Sequence, residues 1–171
     1  PRLKEGVKLY TYAGAEEYND QLSTEKADFH AEKIRIGNGE IFFDFVGPDI
    51  RIADVQLGVP VKVNIENGVA AIALAWLNGV TPEEIKKGMA SFAGPKRRFD
   101  FHLKKENIVL IDDYAHHPAE LKASIQSVKE LYAGRKVTGI FQPHLYTRTR
   151  DFAPDFATSL SLLDELILLD I

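Results

Sequence analysis

The chain has 171 residues, 45% hydrophobic, 27% charged and 10% aromatic, a globular composition long enough for a sizeable core in one or two domains. The formal net charge is −4, and it is uneven: residues 1–60 hold 7 basic and 11 acidic side chains, residues 61–171 hold 14 of each. No basic face argues for nucleic acid, and the absence of cysteine excludes disulfides, thiolate metal sites and a cysteine nucleophile. The longest apolar run, Val69–Leu77, is too short to cross a bilayer. Pro1–Tyr10 carries no signal-peptide core. No membrane is therefore expected, and a cytoplasmic location is.

The first third reads as β structure. Val7–Tyr12 is a candidate strand, and Phe29–Ile36 and Ile41–Phe45 flank Gly37-Asn38-Gly39, a hairpin signal. Gly47-Pro48-Asp49 is a second turn before an extended segment, Ile50–Leu57. The pattern then becomes helical. Asn67–Leu77 is rich in alanine and closes on Asn78-Gly79. Thr81-Pro82-Glu83-Glu84 starts the next helix, with Thr81 as cap, Pro82 in the first turn and Glu84 completing a capping box. Gly94-Pro95 ends that region and reads as a hinge.

Beyond residue 98 strands and helices alternate: Ile108–Ile111, a helix over Pro118–Tyr132, Val137–Phe141, a helix over Asp151–Leu162, and Leu166–Leu169. This β-α-β-α-β order predicts a parallel sheet with right-handed crossovers. Three strands ending without a final helix read as part of a larger domain.

In such sheets ligands bind at the carboxyl ends of the strands, and two polar clusters fall there. The first is Asp112-Asp113-Tyr114-Ala115-His116-His117-Pro118, just before a helix N-terminus that would attract anions. The second is Gln142-Pro143-His144-Leu145-Tyr146-Thr147-Arg148, whose arginine fork suits carboxylates and phosphates. If consecutive strands are neighbours, both clusters face one crevice. Plain capping by Asp113 or His117 is the bland alternative for the first cluster, and a solvated basic loop for the second. No dedicated transition-metal site is expected, because His116 and His117 are adjacent and no H-E-x-x-H spacing occurs. Asn64 and Asn67 stand three apart at a helix start, where one could cap or an amide could read an adenine edge. Lys96-Arg97-Arg98 has the composition of a charged linker, and His30 and His102 sit in strand-like alternation. There is no phosphate-cradling glycine loop.

Four stretches together resemble the Mur ligases. They are Asn64-x-x-Asn67 before Ala70-Ala71-x-Ala73, Gly94-x-x-Arg97-Arg98-Phe99, Asp112 through Pro118, and Phe141-Gln142-Pro143-His144-x-Tyr146-x-Arg148-Thr149. The last resembles the branch that joins L-alanine to UDP-N-acetylmuramate. The resemblance implies an α/β fold in which residues 1–97 are the second half of the central ATPase domain. Residues 98–171 would be the first part of a Rossmann-like C-terminal domain with a parallel sheet. It implies ATP-dependent amide formation through an acyl phosphate, with ATP, UDP-N-acetylmuramate and L-alanine as small-molecule partners. Magnesium is implied as well, its ligands mostly outside these residues.

By the same resemblance Asn64, Asn67, Arg98 and Asp113 are nucleotide-binding. Tyr114, His116, His144, Tyr146 and Arg148 are substrate-binding, and His116, His144 and Arg148 are catalytic. Closure of the domains would turn on Gly94-Pro95. Two positions depart from the pattern: Val63 stands where many members have His, and Leu145 where Arg is frequent. Another Mur-type amino-acid or peptide ligase, or a non-catalytic nucleotide-binding module, are the alternatives. The isolated chain, lacking the phosphate loop, is expected to be inactive.

Overall fold

A computed structural model describes residues 4, 6–14 and 27–171. The chain divides into two compact units. One comprises Ile41–Phe92 with the described residues up to Arg35, and the other Ala93–Ile171 with Ile36–Glu40.

The first unit is built on a sheet ordered β1-β2-β3-β4, with strands Tyr12–Ala13, Phe29–Gly37, Glu40–Gly47 and Ile50–Gln56. Asn38 and Gly39 both take positive φ, 53° and 75°, the backbone of a type I′ hairpin turn, as the sequence predicts. β1 is shorter than the expected Val7–Tyr12. The Thr11 amide and hydroxyl both donate to the Asp28 carboxylate, at 2.7 and 2.9 Å, while the Thr11 carbonyl accepts the Phe29 amide at 3.0 Å. Ile41, Phe43 and Phe45 alternate onto the buried face of β3.

Asp44 breaks that alternation. It sits at a register irregularity between Phe43 and Phe45 and is 3% exposed. Its carboxylate accepts the Asp54 amide at 3.1 Å and an Arg51 N–H at 3.1 Å, with Lys33 Nζ at 3.6 Å. Lys33 and Asp54 both hold positive φ, so the buried charge ties down two strained backbone positions.

Helix α1 (Val63–Leu77) buries Ile65, Gly68, Val69, Ile72 and Ala73, a spacing of 3 and 4 that lays one face on the sheet. It begins four residues before the expected start. Lys62 occupies the N-cap position, where its side chain does not bond the first-turn amides, and neither Asn64 nor Asn67 stands at that position. Helix α2 (Pro82–Ser91) carries the complete capping box, Thr81 accepting from the Glu84 amide and Glu84 from Thr81.

In the second unit, β5 (Asp100–Lys104) pairs antiparallel with β6 (Val109–Asp112), and β7 (Thr138–Phe141) pairs parallel with β8 (Glu165–Leu168). The parallel pair is as expected. The neighbour of β6 is not: β6 joins β5 rather than β7. A short turn closed by the Lys105 amide on the Ile108 carbonyl makes that local pairing accessible. Helix α3 (Pro118–Leu131) packs against α5 (Ala153–Leu160). Leu121, Phe156 and Leu160 form the core between them, and Ser159 Oγ donates to the Pro118 carbonyl at 2.9 Å. The helix expected over Asp151–Leu162 is two helices. A separate α4 (Tyr146–Asp151) ends at Phe152, because Pro154 has no N–H to continue the ladder and stands instead in the first turn of α5.

Candidate functional site

The two units carry their candidate residues separately. In the first, Asn64 Nδ2 donates to the Val59 carbonyl and Asn67 Nδ2 to Asn64 Oδ1, each at 3.2 Å. The pair lies in the first turns of α1, with Asn64 half-buried and Asn67 exposed. Asn67 keeps its own carbonyl oxygen for another partner. An amide with one donor committed and one acceptor open can still read a purine edge.

In the second unit the loop after β6 is built by its own side chains. Asp113 Oδ1 accepts the Ala115 amide at 3.2 Å, and Oδ2 accepts the Ser124 hydroxyl at 2.8 Å. That carboxylate therefore shapes the turn and ties it to α3. His117 is the N-cap of α3, its Nδ1 accepting the Ala119 amide over a long 3.4 Å. Glu120, three residues into the helix, accepts the His116 amide at 3.0 Å. This bond outweighs burial and, with the charges of His116 and Arg98, holds the Glu120 carboxyl below its usual range. His116 Nδ1 lies 2.9 Å from the Tyr114 carbonyl. A carbonyl only accepts, so Nδ1 carries the hydrogen and Nε2 keeps its lone pair when the ring is neutral. The Tyr114 ring lies between His116, 5.1 Å away, and the Arg97 guanidinium, 4.9 Å away.

After β7, Pro143 is buried while His144, Leu145 and Tyr146 are exposed, Tyr146 to 73%. Arg148 is half-buried on α4, so the second cluster runs into a short helix rather than forming a loop. No side chain of His144, Tyr146 or Arg148 makes a hydrogen bond or ion pair among the described residues. Three polar groups left without internal partners at a strand end are available to a ligand.

The two clusters do not face each other across neighbouring strands, since β6 and β7 are not paired. They meet through packing instead. Ala115 from the first loop and Phe141 from the end of β7 rest on the same Leu121, Phe156 and Leu160 core. The His117 ring lies 5.4 Å from Phe152 at the end of α4. Arg97, read from sequence as part of a charged linker, proves to be engaged at three points on the first cluster. Its carbonyl accepts the Tyr114 amide at 2.8 Å, and Nε lies 3.5 Å from Asp112. Its sequence signals were its place beside Arg98 and in the stretch Gly94-x-x-Arg97-Arg98-Phe99, neither of which named these contacts.

Among the described residues no three His, Asp or Glu side chains gather as a metal cluster. Asp112 and Asp113 are already engaged by Arg97, Ser124 and the Ala115 amide. The described residues do not compose a magnesium site. No described helix is long and apolar enough to cross a membrane.

Comparison with known proteins agrees with this layout. Residues 97–170 match the model of the Mur ligase glutamate ligase domain. The whole chain aligns with the UDP-N-acetylmuramate–L-alanine ligases of Parabacteroides distasonis at 77% identity and Phocaeicola vulgatus at 63%. It covers 100% of this chain and 35% of each relative, so the chain spans about a third of their length. The crystal structure of UDP-N-acetylmuramate-alanine ligase from Thermotoga maritima superposes with a TM-score of 0.72 at 29% identity, covering 86% of this chain and 33% of that one. Folylpolyglutamate synthetase from Lactobacillus casei, 20% identical over 84% of this chain and 35% of its own, shares the fold with a TM-score of 0.68. End-to-end identity at this level, with one unit matching the ligase domain and both matching in fold, identifies the chain as a member of the Mur ligase family.

Proposed function

We propose that the chain supplies the adenine-facing and amino-acid-facing surfaces of a cytoplasmic, ATP-dependent ligase that joins L-alanine to UDP-N-acetylmuramate. The observation that carries this reading is the 77% identity, over the whole of this chain and 35% of the relative, to a protein named for that reaction. On this reading residues 1–97 belong to the central ATP-binding domain and residues 98–171 to the amino-acid-binding domain.

The chemistry follows from the substrates. A carboxylate is a poor electrophile with no leaving group, and phosphorylation by ATP supplies one. The amine of alanine then attacks the acyl phosphate and phosphate departs. Asn64 and Asn67 face the adenine, while Arg98 and Asp113 meet the remainder of the nucleotide. At the other cluster the Arg148 fork holds the alanine carboxylate and Tyr146 lines the pocket. His116 takes the amine proton at Nε2, whose lone pair the Tyr114 carbonyl leaves open. Tyr114 and His144 complete the surroundings of the reacting carbonyl. Magnesium, expected with ATP, would find its ligands elsewhere in the enzyme.

Arg148 gives the direct test. A charge-assisted bond of this kind corresponds to about 10- to 150-fold in apparent affinity. In a full-length ligase carrying these residues, Arg148→Ala should raise the Michaelis constant for alanine by that amount and leave that for ATP nearly unchanged. Arg148→Lys, which keeps the charge without the planar fork, should give a smaller rise. A rise confined to ATP would move Arg148 to the nucleotide and refute the assignment.

A further inference from the structure

Three consecutive residues after the Gly94-Pro95 segment behave differently. Arg97 and Phe99 hold positive φ, 59° and 50°, a conformation rare for non-glycine residues and rarer still for a bulky one. Such strain persists only where surrounding contacts impose it. Phe99 is imposed by burial: it is 3% exposed and meets Phe101 edge-on at 5.7 Å. Arg97 is imposed by polar contacts on every side. Its amide donates to Asp100 at 3.2 Å, and its carbonyl accepts the Tyr114 amide at 2.8 Å. Its guanidinium lies 3.5 Å from Asp112 and 4.9 Å over the Tyr114 ring.

Arg98, held between these two anchors, is exposed and makes no hydrogen bond or ion pair among the described residues. Its charge reaches Glu120 at the start of α3. A cation fixed at its backbone and open at its head loses less freedom on meeting a ligand than one on a loose linker.

We propose that Arg97 is a positioning residue that locks the backbone of Arg98 onto the loop carrying Asp113, so that the two meet the nucleotide as one preformed piece. This rests on the reading of Arg98 and Asp113 as nucleotide-facing. Arg97 itself does not touch the nucleotide.

A double-mutant cycle in a full-length ligase carrying these residues tests it. Arg98→Ala should raise the Michaelis constant for ATP about 10- to 100-fold, as loss of a direct charged contact does. Arg97→Ala should raise it about 5- to 30-fold, with the alanine constant changed less than about 2-fold. Added to Arg98→Ala, Arg97→Ala should have almost no further effect. Hydrogen exchange over residues 112–117 should quicken in Arg97→Ala whether or not nucleotide is present. Arg97→Lys, retaining charge and stem, should fall between wild type and Arg97→Ala, and carries the cycle if the alanine variant does not fold. Effects of the two arginines that multiply independently would mean Arg97 has its own ligand contact, and the proposal is wrong. It is equally wrong if Arg98→Ala raises the ATP constant while Arg97→Ala does not. If Arg98→Ala is itself silent, the nucleotide reading of Arg98 falls and takes the inference with it.

Discussion

The strand pair β3–β4 and the strand pair β7–β8 meet water in opposite ways. Phe43, Phe45 and Val55 are fully shielded, whereas all four residues of β8 are exposed, Ile167 to 49%. The first pair draws its stability from apolar burial against α1 and α2. The second is held at its margin by polar staples: Asp164 accepts from Lys129 at 2.9 Å and from the Val137 amide at 2.8 Å. Around the first pair the sheet is the core; around the second the core is the α3–α5 contact, and the strands carry polar groups to its edge. Loops that must admit a ligand belong on surfaces with few apolar contacts to lose.

The largest test of this comparison is Phe43→Ala. It removes a wholly buried ring and should cost about 3–5 kcal/mol, read as a shift in the urea midpoint. Asp44→Asn should follow, at about 1–3 kcal/mol, by stripping the charge from a buried hydrogen-bonded group. The same residue sets a pH dependence. Burial pushes the Asp44 carboxyl up, but the Asp54 amide, Arg51 and Lys33 together bring it below its ordinary value. A carboxyl lowered by folding stabilises fully above its unfolded value, about 3.9, and that stability is lost as pH falls through the lowered folded value. Wild type should therefore lose stability to acid more steeply than Asp44→Asn below about pH 4, as chemical denaturation at a series of pH values would show. Thr81→Ala should cost about 1 kcal/mol by opening the capping box, measured in the same way. Ile167→Ala should cost least, under about 1 kcal/mol, since half its surface is already wet. An Ile167→Ala penalty approaching that of Phe43→Ala would erase the contrast between the two pairs.

Features set by neighbours in sequence were legible. Asn38-Gly39 can take two positive φ values, so the hairpin followed from two letters. Thr81 and Glu84 are three apart, so their reciprocal bonds needed no tertiary knowledge. The span of α3, Pro118–Leu131 against an expected Pro118–Tyr132, was readable for the same reason. What escaped depends on partners far along the chain. The pairing of β6 is with β5 rather than β7, and β5 was not among the strands expected from sequence. Asp44 looks like an ordinary outward residue in an alternating strand until Arg51, Lys33 and the Asp54 amide close over it. Asp151–Leu162 was expected as one helix, although Pro154 stands within it. At the candidate site the polar stretches were visible as clusters. Arg97 was not, because its contacts to Asp112 and Tyr114 lie more than a dozen residues away.

The bond from His116 Nδ1 to the Tyr114 carbonyl also bears on timing. Because the inward nitrogen keeps its hydrogen in both the neutral and the charged ring, proton uptake occurs at the outward nitrogen alone. The loop need break no bond and turn no peptide when the ring becomes cationic, and Glu120, 3.4 Å from Nδ1, already stands beside the new charge. A loop with this wiring carries almost no reorganisation cost through a protonation cycle. On the role proposed for His116, the loop would keep one shape through the transfer, and a bound amine would meet one unchanging wall.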